Sequence, residues 1–145
     1  MSRIMLPVDN FFRSARRWPE RIAVEILEND RVQKITYADM AEAVNALAAG
    51  LQAIDPEPQS RVGICAYNNY EHLLAWLAAY AAGKVWVPLN PRNGSEELDR
   101  IIALTEPSII FLMVIAAISL GQQRPRLSGQ KRMARPTVHL SGYRI

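Results

Sequence analysis

Apolar residues run almost unbroken from Val62 to Tyr67, the pattern of a parallel strand covered on both faces, where polar alternation is not needed. Asn68 and Asn69 interrupt it. From Tyr70 the apolar positions Leu73, Leu74, Trp76, Leu77, Tyr80 and Ala81 recur at helical spacing until Gly83, a residue type that ends helices in the left-handed conformation. Val85 to Leu89 then reads as a second strand. So short a return through a helix sets the two strands side by side and parallel, with a right-handed crossover. A β-α-β unit between Arg61 and Pro91 therefore organises the chain.

Upstream, Asn10 is placed to cap a short helix from Phe11 to Arg17 that Trp18-Pro19 closes, because the residue before proline is pushed out of helical space. That helix is expected to form a lid over the core. Ile22 to Leu27 and Val32 to Ile35 predict a hairpin across the turn Glu28-Asn29-Asp30-Arg31. Thr36-Tyr37-Ala38-Asp39 has the spacing of a capping box, and Tyr37, Met40, Val44, Leu47, Leu51 and Ile54 continue it as one apolar stripe. Burying such side chains contributes on the order of 1.5 to 3 kcal/mol each, so this helix must dock on the sheet. Downstream, Ser95 is the expected N-cap of a helix with Glu96, Glu97 and Asp99 in its first turn and Leu98, Ile101 and Ile102 on its buried face. Pro107 ends it and Ser108 to Phe111 enters a third parallel strand.

The predicted class is α/β: a partial parallel βαβαβ sheet with flanking helices, a small N-terminal hairpin and a disordered basic C-terminal tail. Charge marks the tail. Residues 1–111 carry eleven Lys/Arg against fourteen Asp/Glu, a balance of −3, whereas residues 112–145 carry six Lys/Arg and no acid. Gln122 to Ile145 has neither helical nor strand periodicity, which predicts disorder. Its scattered basic residues, with Tyr143 as its aromatic, offer no stacking platform, so no specific nucleic-acid partner is expected. A lone cysteine, Cys65, inside an apolar strand predicts a small buried hydrophobe and suits a reducing, cytoplasmic compartment. The longest apolar run, Ile109 to Leu120, falls short of the roughly 20 residues a bilayer demands, so no transmembrane segment is expected.

Glycines decide much of the search for chemistry. They stand at 50, 63, 83, 94, 121, 129 and 142, so neither G-x-G-x-x-G nor G-x-x-x-x-G-K occurs. His72, His139 and Cys65 lie too far apart for clustered metal ligands, and no serine occupies a strand-to-helix elbow that could pair with His72. Glu96 and Glu97 are explained by the helix dipole. No catalytic residue and no metal ligand is assigned. One positional argument remains: ligands of open parallel sheets bind beyond the carboxyl ends of the strands. Asn68, Asn69, Asn90 and Arg92 occupy those ends and are the binding candidates, against the plainer reading that they serve as turn residues.

Trp18-Pro19-Glu20-Arg21-Ile22-Ala23-Val24, Ile35-Thr36-Tyr37-Ala38-Asp39-Met40, Arg61-Val62-Gly63-Ile64 and Ala82-Gly83-Lys84-Val85-Trp86-Val87-Pro88-Leu89-Asn90-Pro91-Arg92, followed by Glu96-Glu97-Leu98, occur in that order. Together they resemble the start of the AMP-forming adenylating enzymes: acyl-CoA synthetases, luciferases and peptide-synthetase adenylation domains. The resemblance covers residues 5–111 and implies that residues 1–111 are the N-terminal portion of an AMP-binding domain, with residues 112–145 a non-native tail. It implies a parent enzyme that activates a fatty or other carboxylic acid with ATP and magnesium, then passes the acyl group to a thiol such as coenzyme A. The family's Ser/Thr/Gly-rich loop ending Pro-Lys-Gly, its Thr-Gly-Asp segment and its C-terminal lysine would lie downstream of Phe111 and are not found there. The expectation is a truncated relative of the acid-CoA ligases, inactive alone and needing no cofactor as it stands. The alternative is an interaction module that associates with itself or a partner chain through the exposed edge of an incomplete sheet.

Overall fold

The computed structural model describes residues 5–28 and 30–112. In chain order they form α1 (Pro7–Arg17), β1 (Ile22–Glu28), β2 (Arg31–Thr36), α2 (Tyr37–Ile54), β3 (Arg61–Cys65), α3 (Tyr70–Ala81), β4 (Val85–Leu89), α4 (Ser95–Thr105) and β5 (Ile109–Leu112). The predicted α/β class holds. The basic tail beyond Leu112 lies outside the described residues, and Leu112 itself closes β5 rather than opening the tail.

β1 and β2 pair antiparallel around the tight turn between Glu28 and Arg31, where Asp30 takes the left-handed φ of 61° that aspartate tolerates. β3, β4 and β5 form a parallel sheet in the order β4-β3-β5. The central strand is the most buried, with Val62 and Ile64 fully enclosed. Strand alternation divides the sheet into two faces. Val62, Ile64, Ile109 and Phe111 meet Ala75, Ala78 and Ala79 of α3 on one face, together with Ala48 and Leu51 of α2. Cys65, Val87 and Leu89 meet Leu98, Ile101 and Ile102 of α4 on the other. The chain thus winds one way from β3 to β4 and crosses back over β3 to β5, placing α3 and α4 on opposite faces. The stripe on α2 is shared: Met40 and Val44 pack instead with Val8 of α1, Ile35 of β2 and Leu77 of α3.

Local chemistry sets the ends of the elements. Thr36 Oγ1 accepts the Asp39 N–H at 3.1 Å and starts α2 as expected. Gly83, with φ of 72°, ends α3 and passes the chain straight into β4. Two predicted caps are corrected. α1 starts at Pro7, whose ring pre-sets the helical φ, and Asp9 Oδ2 accepts the Leu6 N–H at 2.9 Å. Asn10 lies inside the first turns, where its Oδ1 accepts from Arg13 at 2.9 Å. α4 is entered through extended Gly94, whose carbonyl accepts from Glu97 and Leu98, so Ser95 is the first helical residue and not the cap. β3 also stops at Cys65, two residues short of the apolar run.

Lys84 is buried and fastens the loop after α2 to the end of α3. Its Nζ donates to the carbonyls of Asp55 and Glu57, the latter at 2.6 Å, and to Ser60 Oγ at 2.8 Å, with Asp55 Oδ1 at 3.6 Å. On the outer strand β4, the Val85 N–H donates inward to Ser60 O at 2.9 Å, so by alternation Pro88 falls on the outward side, where its missing N–H costs no ladder bond.

Candidate functional site

Because α3 and α4 leave the sheet on opposite faces, the loops after β3 and β4 diverge and open a crevice between the carboxyl ends of two neighbouring strands. That is where an open α/β sheet takes its ligands. All four candidates from the sequence lie at this edge, but they are not equivalent. The Asn69 side chain accepts the His72 N–H at 2.9 Å and caps α3. Asn90 Oδ1 accepts the Arg92 N–H at 3.0 Å and its carbonyl accepts from Asn93, closing the turn after β4. These two asparagines do the work of turn residues. Arg92 reaches across the crevice, its guanidinium 5.8 Å from the ring centroid of Tyr67, and so ties the β3 loop to the β4 loop. The Asn68 side chain makes no hydrogen bond among the described residues.

Asn68 and Asn69 also border a groove of about 610 Å³ between β1 and the first turns of α3. Its floor holds residues the sequence reading had spent on packing or set aside: His72, Trp76 and Trp86. The ring of Trp86 stands edge-on to Trp76 at 6.0 Å and to His72 at 6.3 Å, while Trp76 meets Tyr80 at 5.4 Å. Both indole N–H groups, Trp76 Nε1 and Trp86 Nε1, are buried with no hydrogen-bond partner among the described residues. Each such orphan costs about 1 to 3 kcal/mol, so this floor lacks acceptors. The spacing of His72, Trp76 and Tyr80 at four-residue intervals is the sequence signal that marks this helix face.

These side chains do not fit a nucleoside triphosphate. Phosphates demand several convergent N–H groups and cations. Here the His72 amide at the start of α3 is bonded to Asn69, and Arg92 lies over the Tyr67 ring, so no convergent set of donors is assembled around one point. Among the described residues no group of three or more His, Cys, Asp or Glu is placed to hold a metal ion. Cys65 is buried, and burial pushes its thiol pKa up from 9.0, which keeps it protonated and unreactive. No helix among the described residues is long and apolar enough to cross a membrane.

Comparison with known proteins places this scaffold in a family. The chain is 35% identical over 98 residues to phosphinothricin tripeptide synthetase PhsC of Streptomyces viridochromogenes, a match covering 68% of this chain and 9% of that protein. It is 32% identical over 126 residues to a (7a-methyl-1,5-dioxo-octahydro-indenyl)propanoyl:CoA ligase of Mycobacterium tuberculosis, covering 87% of this chain and 23% of the ligase. The fatty acid AMP ligase of Legionella pneumophila superposes with a TM-score of 0.65 at 25% identity, over 71% of this chain and 18% of that one. The chain therefore spans less than a quarter of each of these relatives. The sequence profile of the family described as AMP-binding enzyme matches residues 11–141, which runs past the charge break at Phe111. With nine-tenths of its length inside that profile and the same scaffold in the solved relatives, this chain belongs to the AMP-binding enzymes, the adenylate-forming synthetases and ligases.

Proposed function

We propose that this chain supplies the amino-terminal scaffold of an ATP-dependent acid–thiol ligase, one that activates a fatty or other carboxylic acid as its acyl-adenylate, and that it performs no adenylation by itself. The observation that carries the reading is the crevice at the carboxyl ends of β3 and β4, where Asn69 and Asn90 serve turns and Arg92 lies over the Tyr67 ring. Activating a carboxylate requires oriented donors around a leaving pyrophosphate. The glycine spacing provides no loop of that kind in the sequence. Magnesium, ATP and coenzyme A belong, on this reading, to residues the relatives carry outside the matched stretch. Acid-dependent exchange of labelled pyrophosphate into ATP tests it with the purified chain. No exchange above a blank is expected, and exchange that scales with protein concentration overturns the proposal.

A second reading is favoured by the groove floor and the sheet edges. β4 and β5 have no outer neighbour among the described residues, and two buried indole N–H groups lack acceptors. On that reading the chain is an interaction module completed by a second polypeptide or a second copy. Sedimentation velocity separates the two: a monodisperse monomer at all concentrations counts against the module.

A further inference from the structure

Among the described residues the charges are unevenly distributed. Between Arg13 and Arg21 four arginines meet one acid, Glu20, a local balance of +3. The remaining described residues carry six Lys/Arg against thirteen Asp/Glu, a balance of −7. Arg13, Arg16 and Arg17 take positions i, i+3 and i+4 of α1, a single helix face, and all three are exposed, while Val8 and Ala15 point the opposite face into the core. Arg21 joins them from the turn that follows. At the centre stands Trp18, 39% exposed, with the Arg17 and Arg21 guanidiniums 4.9 Å and 5.4 Å from its ring centroid. Arg16, Arg17 and Arg21 make no ion pair among the described residues.

The corner is also rigid. The Trp18 N–H donates to Ser14 O at 2.8 Å, Arg21 N–H to Trp18 O at 3.1 Å, and Tyr37 and Ala38 donate back to Arg21 O and Pro19 O. The backbone that carries the indole and its cations is therefore fixed before any partner arrives, which lowers the entropy lost on binding.

We propose that this α1–β1 corner docks on an anionic phospholipid surface. An amphipathic indole flanked by planar, weakly hydrated cations matches the headgroup region, where tryptophan resides and guanidiniums bind phosphate in bidentate fashion. Among the described residues a basic patch stands against an otherwise acidic surface, which favours approach of that patch to such a membrane.

Co-sedimentation of the full chain with vesicles of phosphatidylcholine, alone or mixed with phosphatidylglycerol, tests the assignment at low and high salt. Binding is expected on the mixed vesicles at low salt, weakened roughly fivefold for each arginine neutralised. The triple variant Arg16→Ala/Arg17→Ala/Arg21→Ala then loses affinity on the order of 100-fold, and the corresponding triple lysine variant recovers most of it. Because every variant keeps the basic residues beyond Leu112, the comparison isolates this corner. Tryptophan emission shifts to the blue on binding, and the shift disappears in Trp18→Phe, since Trp76 and Trp86 are already packed. Equal binding to both vesicle types, undiminished binding of the triple alanine variant, no binding, or capture of a single-stranded oligonucleotide in preference to vesicles each overturns the proposal.

Discussion

Lys84 shows how one side chain carries a local structure. With a side chain 1% exposed and three oxygen acceptors, it satisfies two carbonyls that would otherwise be left without a donor. Lys84→Met keeps the apolar stem but strands those carbonyls and the Asp55 carboxylate. It is expected to cost about 3 kcal/mol, read as a lower urea midpoint with unchanged slope. Its neighbour gives a pH signature. The Ser108 and Ser60 hydroxyls beside Asp55, with the Glu57 backbone and the Lys84 charge helping, hold its carboxyl at about 2 against an ordinary 3.8. A depressed carboxylate contributes stability that is whole above the ordinary value and is lost as pH falls through the folded one. Stability is therefore expected to decline between about pH 4 and about pH 2, and Asp55→Asn flattens that limb of an acid titration followed by circular dichroism.

At the scale of elements, the caps decide where helices begin and the substitutions there are specific. Thr36→Ala removes the acceptor for Asp39 N–H and is expected to cost about 1 kcal/mol in thermal unfolding. Gly83→Ala forces a Cβ into a φ of 72° at the end of α3, although the space beside it is open, and is expected to cost about 1 kcal/mol through backbone strain alone. The hairpin, α2 with its cap, and the β3-α3-β4 unit were legible in the sequence because local signals agree: turn residues at Glu28–Arg31, a threonine three residues before Asp39, a glycine after Ala82. Other features were not. Asn10 and Ser95 are good caps by residue type, yet α1 is entered earlier, through Leu6 with Pro7 as its first helical residue, and Gly94 takes the cap position one residue before Ser95. The order β4-β3-β5, and with it the opposite placement of α3 and α4, rests on which edge of β3 the third strand joins, a choice that no local periodicity records. Without that order the crevice between the β3 and β4 loops could be placed only as a general strand-end argument, and the Arg92–Tyr67 contact and the Trp76–Trp86 floor were invisible.

At the scale of the molecule, the described residues hold one face of the sheet under α3 and α2 and the other under α4 alone, whose Leu98, Ile101 and Ile102 are half-buried and which contributes no fully buried residue. α4 is thus the least anchored helix, and its amides are expected to exchange hydrogen before those of α3 in native-state exchange. In the interaction-module reading, the acceptor-poor groove and the strands unpaired among the described residues would drive association, so the weight-average mass from light scattering should rise with protein concentration, and stay constant otherwise.

In the interaction-module reading, Pro88 would give association a direction. Along β4 the outward-turned positions are Trp86 and Pro88, and the second has no hydrogen to give, so an incoming strand there finds a gap in its ladder. Along β5 the Ser108 N–H donates inward to Arg61 O, which leaves Ile109 and Phe111 turned outward with their amides intact. On that reading the described sheet would lengthen from one side only, and a protomer adding to β5 would present its own blocked flank next. Growth that stops after a single addition yields pairs instead of fibres, and Pro88→Ala, by unblocking that flank, is expected to convert pairs into open-ended polymers visible as thioflavin-positive rods.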